Sequence, residues 1–284
     1  MINNLNVNIL DINVNNNILI SEYDIKKDKL NTPIRIFNSY EECKKEISWF
    51  EGINNEKEIK DNCEIFLNNI KKNFNYKFQF TQEEINQFEI IFKNPLNYAN
   101  FIFCNCTLLT KLDLSNFNTN NYKDMCRMFY KCSSLVSIYL SNININNVTN
   151  RSHIFYDCCN LKSLNLSKFI TNNVKNMREM FYKCSSLISL DLSSFNIPNV
   201  TDMSYMFSSC NLLNSLDLSN FKSNNVKDMR SMFCDCFSLT YLNLSNFSSE
   251  NVTDMSEIFK DINQNCLIIS NDILINYLKS KIFD

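Results

Sequence analysis

Cysteine is the residue type in this chain with the most latent chemistry. There are thirteen, an odd number that forbids complete internal pairing. Cys104-x-Cys106 and Cys234-x-Cys236 have close spacing of the kind metal ligands use, but no His stands at ligand distance from either. Six of the cysteines recur at one interval: Cys106, Cys132, Cys158, Cys184, Cys210 and Cys236. A thiol that recurs beside Phe reads as a small buried hydrophobe. The single histidine, His153, has no Ser or Cys partner in view and reads as an ordinary surface or helix residue. Asp191 and Asp217 share a column, and stacked strands would hold them about 5 Å apart. Tyr and Asn fill that column elsewhere, which argues against a shared-proton pair. Glycine occurs once, so no phosphate-cradling loop is available. These residues predict no enzyme, no metal and no cofactor.

What must position these residues is a repeat. The stretch from Leu187 to Cys210 matches itself at steps of 26 residues. A Phe column runs Phe103, Phe129, Phe155, Phe181, Phe207, Phe233, Phe259, and an Asn column runs Asn121, Asn147, Asn173, Asn199, Asn225, Asn251. Self-similarity at this period marks a stacked array. Leu187-x-x-Leu190-x-Leu192 ends with period 2, which predicts a short strand. Val200, Met203, Met206 and Phe207 follow at the spacing of one helix face. Asn199 would cap that helix and Asp202 would add charge at its positive end. With so little glycine, bends such as Asn172-Asn173 and Asn224-Asn225 are expected to supply the left-handed backbone. The fold class expected is an α/β solenoid of about six 26-residue strand–helix units. Its wide helix edge would bend the stack into an arc with the strands on the concave side.

The segments divide as follows: 1–17, an Asn-rich arm or weak first strand; 18–94, a small β-rich (α+β) N-terminal cap domain; 95–270, the solenoid; and 271–284, a C-terminal capping helix. In the cap domain, strands are expected at Ile18–Ile20, Pro33–Phe37, Cys63–Leu67, Phe74–Phe80 and Gln87–Phe92, with Asn68 to Asn73 as a turn. Ser39-Tyr-Glu-Glu42 is a capping box for a helix over about 40–48. Trp49 and Phe50 are assigned to the core. The terminal helix, capped by Asn271 or Ser270, should turn Ile273, Leu274, Tyr277, Leu278 and Ile282 to one face.

The pattern Leu-x-x-Leu-Asp-Leu-Ser-x-Phe-x-x-x-Asn-Val-x-x-Met-x-x-Met-Phe-x-x-Cys resembles the BspA-like leucine-rich repeat family over about 96–269. The resemblance implies a leucine-rich repeat solenoid used for adhesion or protein binding, in a family whose bacterial members are typically surface proteins or lipoproteins. Arg151 in place of Met and Ile143 in place of Phe depart from the pattern and predict a looser second repeat.

Strand positions pointing away from the core vary while the core columns do not. From them come the candidate partner-binding residues Lys111, Asp113, Tyr139, Asn165, Asp191, Asp217, Tyr241 and Asn243. Tyr139 and Tyr241 stand out, because Tyr favours interfaces. The expected function is a non-enzymatic scaffold that binds a protein partner on this face, with a cell-surface or secreted adhesin as the alternative. A net charge of −2 gives no electrostatic case for nucleic acid, and the apolar runs are too short for a membrane span. The start, Met1-Ile-Asn-Asn-Leu, lacks a basic, apolar leader. A cytoplasmic location is therefore expected, with the cell surface as the alternative.

Overall fold

The computed structural model describes residues 17–46, 53–119, 122–140 and 146–281. The expectations for residues 1–16, Trp49, Phe50, Ile143 and Ile282 fall outside that range. The first long strand, β1 (Asn17–Ile25), alternates buried and half-buried positions and puts Leu19, Tyr23 and Ile25 inward. A two-residue strand β2 (Ile34–Arg35) follows, then helix α1 (Tyr40–Lys44). The Ser39 hydroxyl accepts the Glu42 N–H at 3.3 Å and so caps α1. The reciprocal half of the capping box is not made: the Ser39 N–H goes to Asn38 Oδ1, and Glu42 pairs with Lys45 and faces Arg35.

Helix α2 (Glu56–Asn62) leads into β3 (Cys63–Leu67). Asn68 and Asn69 have φ of 48° and 65°, the two positive values a tight hairpin needs. The chain therefore reverses at once into β4 (Ile70–Lys72), where the sequence had suggested a longer turn. Only β5 (Lys77–Phe78) forms within Phe74–Phe80. β6 (Glu84–Phe92) pairs with both β1 and β3. The repeats contribute β7 (Leu109–Asp113), β8 (Ser137–Tyr139), β9 (Ser215–Asp217), β10 (Tyr241–Leu244) and β11 (Leu267–Ser270), and α3 (Ile273–Ser280) closes the described chain. One sheet has the order β4-β3-β6-β1-β7-β8, a second β11-β10-β9, and a third pairs β2 with β5. β1 thus joins the N-terminal strands to the first two repeats.

The expected α/β solenoid of strand–helix units, and the leucine-rich repeat arc built from it, are not what forms. Among the described residues no helix lies between α2 and α3. The strands fall into three separate sheets, and 162–166 and 188–192 are not assigned to any strand. The segments read as helices are runs of tight turns. In the repeat around Met203, every second N–H crosses to the next repeat: Met203 to Asp228 O, Tyr205 to Arg230 O, Phe207 to Met232 O and Ser209 to Cys234 O, at 2.8–3.0 Å. The N–H groups between them turn back locally. Ser204 donates to Asp202 Oδ1, Met206 to Met203 O, Ser208 to Tyr205 O and Cys210 to Phe207 O. Every donor from 203 to 210 is thereby satisfied, as burial requires, without one α-helical bond. The same ladder runs unbroken from Ala99 to Lys260.

This ladder requires two left-handed residues per repeat, four apart. They are Tyr205 and Ser209 here, Arg127 and Lys131, His153 and Asp157, Glu179 and Lys183 elsewhere, with φ between 54° and 58° in the last three pairs. Each costs about 1 kcal/mol in a non-glycine residue, offset by the cross-repeat bond it directs. Asn172, Asn173, Asn224 and Asn225 are not among the positive-φ residues. Among the described residues the Asn column caps no helix either. Asn199 Nδ2 donates to Asn172 O, Asn225 Nδ2 to Pro198 O and Asn251 Nδ2 to Asn224 O.

The cross-repeat bonds hold consecutive turns at strand spacing, which leaves no room for a helix in each. Paired strands lie about 4.7–4.9 Å apart, whereas a helix is about 10–12 Å across. Stacked turns keep to the strand spacing. Phe rings of consecutive repeats lie 5.4–6.0 Å apart from Phe103 to Phe259. A second column, Phe195, Phe221 and Phe247, is spaced at 6.2 and 6.3 Å. With no wide edge, the expected cause of a concave strand side is absent.

The Met, Phe, Cys and Leu columns are buried in one core that continues into β1, β3 and β6. The terminal helix departs from expectation. Its N-cap is Asp272, its buried residue is Ile275, and Ile273, Leu274 and Tyr277 face solvent.

Candidate functional site

The outward strand columns hold the candidate residues, and the structure gives several of them structural duties. Lys111 lies directly across from Glu22 in the β1–β7 register, and its ammonium sits 2.8 Å from the Glu22 carboxylate. That carboxylate raises the Lys111 pKa above the usual lysine value. Asp113, Asn165, Asp191, Asp217 and Asn243 each accept the N–H two residues on through Oδ1. The donors are Ser115, Ser167, Ser193, Ser219 and Ser245, at 2.8–3.1 Å. This column therefore forms the turn that ends each strand segment. The bond to Ser193 holds the Asp191 carboxyl below its usual range, opposite to the rise that proton sharing gives one member of a pair. Asp124, Asn150, Asn176, Asp202, Asp228 and Asp254 build a second column of the same kind ahead of the turn ladder.

Tyr139 occupies an Asx place and is 52 % exposed. With Asn165, Ser167 and Lys168 it rims a hollow of about 230 Å³ floored by Ile138 and Leu140. In the second sheet Tyr241 is in register with Leu267, and Asn243 with Ile269. Leu267 and Ile269 point outward and are exposed. They continue the two variable columns by one more step of the repeat, which is the signal that could have found them. The candidates thus fall into two groups. Lys111, Asp113, Tyr139 and Asn165 lie on or beside β7 and β8, and Asp217, Tyr241 and Asn243 lie on β9 and β10. Asp191 stands between them.

The chemistry-bearing residues elsewhere are enclosed. All thirteen cysteines are free. Cys132, Cys158, Cys184, Cys210 and Cys236 each donate the thiol to a Phe carbonyl of the preceding repeat at 3.0–3.2 Å. Burial pushes these thiols well up, which suppresses thiolate chemistry. His153 is neither on the surface nor on a helix. It is buried, with a pKa pushed down to about 3 by burial and by the Arg127 and Arg178 guanidinium groups. Glu179 lies 3.6 Å from its Nε2, beyond hydrogen-bond reach, and is itself paired with Arg178 at 2.8 Å. Arg151, in the Met column, is fully buried. Its Nη2 donates to Ile170 O, its guanidinium lies over Phe169, and burial lowers its pKa to about 9. Among the described residues, no three His, Cys, Asp or Glu side chains converge as a metal site, and no helix is long and apolar enough to cross a membrane.

The sequence pattern of a family described as "Mycoplasma protein of unknown function, DUF285" matches residues 34–165 and 152–271. The chain belongs to this family. The DUF285 match begins at β2 and continues through the repeats, so it takes in N-terminal elements as well as the repeated ones. No curated protein matches the chain.

Proposed function

We propose that the chain is a non-enzymatic scaffold that binds a protein partner through its outward strand columns. The observation that carries this reading is the placement of Tyr139, Tyr241, Leu267 and Ile269 on a face whose other positions are mostly Ser, Asp and Asn. Tyr241 and Leu267 are side by side on adjacent strands. Aromatic and apolar groups held on a rigid, otherwise polar face are the usual anchors of an interface. The Asx residues of the same columns shape the turns, and the aromatic positions supply the contact.

The finer family reading is the BspA-like one, and it brings a second function: an adhesin exposed at the cell surface. The two readings share a binding face and differ in location, with the cytoplasm expected for the scaffold. The test is affinity capture from the source cells with wild-type protein and a Tyr139→Ala/Tyr241→Ala variant, alongside cell fractionation. A partner retained by wild type and lost by an equally folded variant supports the binding face. Equal retention by both overturns it. Recovery of the protein with surface-labelled material selects the adhesin.

A further inference from the structure

On the strand side the repeats between β8 and β9 are thinly bonded, and at one step they carry no backbone bond. At equivalent positions in later repeats, Ile188 N–H donates to Lys162 O, Asn214 to Ile188 O, Thr240 to Asn214 O and Leu267 to Thr240 O. The step before these is missing: among the described residues no backbone hydrogen bond joins 136–140 to 162–166. On the turn side the same two repeats stay joined, with Met125, Arg127, Phe129 and Lys131 donating to Asn150, Ser152, Ile154 and Tyr156. β8 is therefore one edge of the six-stranded sheet, β4 being the other, and the hollow beside Tyr139 lies beside it. The far edge of the other sheet is treated differently. Lys279 Nζ donates to Ile268 O and Asn276 Nδ2 to Ser270 O, so side chains of α3 occupy the carbonyls of β11.

Two features of the opening define an occupant. Its β8 side has strand geometry, and an extended peptide satisfies such an edge at the spacing of a strand. It carries two available cations: Lys162 and Lys168 are exposed, and neither has an ion-pair partner among the described residues. The flanking repeats carry Asp113 and Asp191, each with one carboxylate oxygen directed onto a Ser N–H. Asn165 spends its Oδ1 on Ser167 N–H, which leaves its amide hydrogens for an acceptor. Val136 and Tyr139 add exposed apolar surface on the β8 side.

We propose that the opening between β8 and residues 162–166 binds an extended peptide segment carrying an acidic side chain. The peptide backbone pairs with the edge, and the carboxylate meets Lys168 beside Tyr139. This proposal rests on the partner-binding reading above and narrows it to one opening and one peptide chemistry.

The probes are fluorescent peptides of about ten residues with alternating Val/Thr and Glu, carrying a photo-crosslinking phenylalanine. One matched set replaces Glu by Lys, and another methylates alternate backbone nitrogens. Binding to the full chain is read by anisotropy, and crosslinks are mapped by mass spectrometry. Expected are crosslinks within 136–140 and 162–168, and an affinity loss of about tenfold or more for the Lys peptides, for the methylated peptides and for Lys168→Glu. Absence of binding, crosslinks confined to other segments, or equal binding of the methylated peptides overturns the proposal. The partner-binding reading is judged separately. Captured partner that depends on Tyr139 and Tyr241 but not on Lys168 sinks this inference and leaves that reading standing.

Discussion

The thiol of Cys210 donates to the carbonyl oxygen of Phe181 across 3.2 Å, and the same oxygen accepts the N–H of Cys184. One carbonyl thus ties its own turn shut and holds the following repeat. The cysteine column is a set of cross-links made by hydrogen bonds, which explains a small polarisable residue where Ala would fill nearly the same space.

Cys210→Ala should therefore destabilise the protein by about 1–3 kcal/mol, through a small cavity and one lost bond. Urea unfolding followed by circular dichroism measures it. Native-state thiol labelling should reach the half-exposed Cys159 and Cys234 well before Cys132, Cys158, Cys184, Cys210 and Cys236. Fast labelling of the buried five would contradict the packing.

Arg151→Met should stabilise the protein by about 1–4 kcal/mol, because a buried charge gives way to the apolar residue that fills this column at Met125, Met177, Met203 and Met229. A higher urea midpoint with an unchanged slope is the expected result. A lower midpoint would mean that the bond to Ile170 O and the contact with Phe169 outweigh the burial of charge.

His153 makes stability depend on acid. Its pKa is about 3 in the folded chain against 6.5 for a free side chain. Between those values the unfolded state binds the additional proton, so stability falls as the pH drops from about 6.5 toward 3 and is unaffected above that window. The slope approaches about 1.4 kcal/mol per pH unit. His153→Asn keeps a residue that tolerates the left-handed backbone and removes the titration. Unfolding free energies at pH 7 and pH 5 should differ by about 1–2 kcal/mol more in wild type than in the variant.

Truncation after Asp272 removes Asn276 and Lys279 and bares the carbonyls of Ile268 and Ser270 on β11. An exposed edge recruits other strands. The truncated chain should associate at concentrations about tenfold lower than the full chain, read by sedimentation velocity. Unchanged association would show that the edge is protected by something other than α3.

The columns of the repeat were legible because side-chain spacing is a property of sequence alone. Met203, Met206, Phe207 and Cys210 are all buried. What the spacing could not settle was the backbone that delivers them inward. Turns closed by i to i−3 bonds bring residues 203, 206, 207 and 210 to one side much as a helix does. The difference lies in where alternate N–H groups go, and that is decided by the neighbouring repeat. The left-handed residues were illegible for the same reason. Arg127, His153, Glu179, Tyr205 and Glu257 share a column of unlike residues, none of them glycine. Asp191 and Asn243 read as free ligands because a side chain bonding its own backbone two residues on leaves no mark in composition.

Because each bond leaving a turn ladder lands on the matching place one step further along, the number of residues per step is fixed far more tightly than their identities. Losing or gaining a single residue there would put every later Phe and Cys out of line, whereas copying a whole step would leave both neighbours with the surfaces they already fit. Growth by duplication is the change in length this architecture tolerates, and each added step brings one outward strand position that has no turn to close.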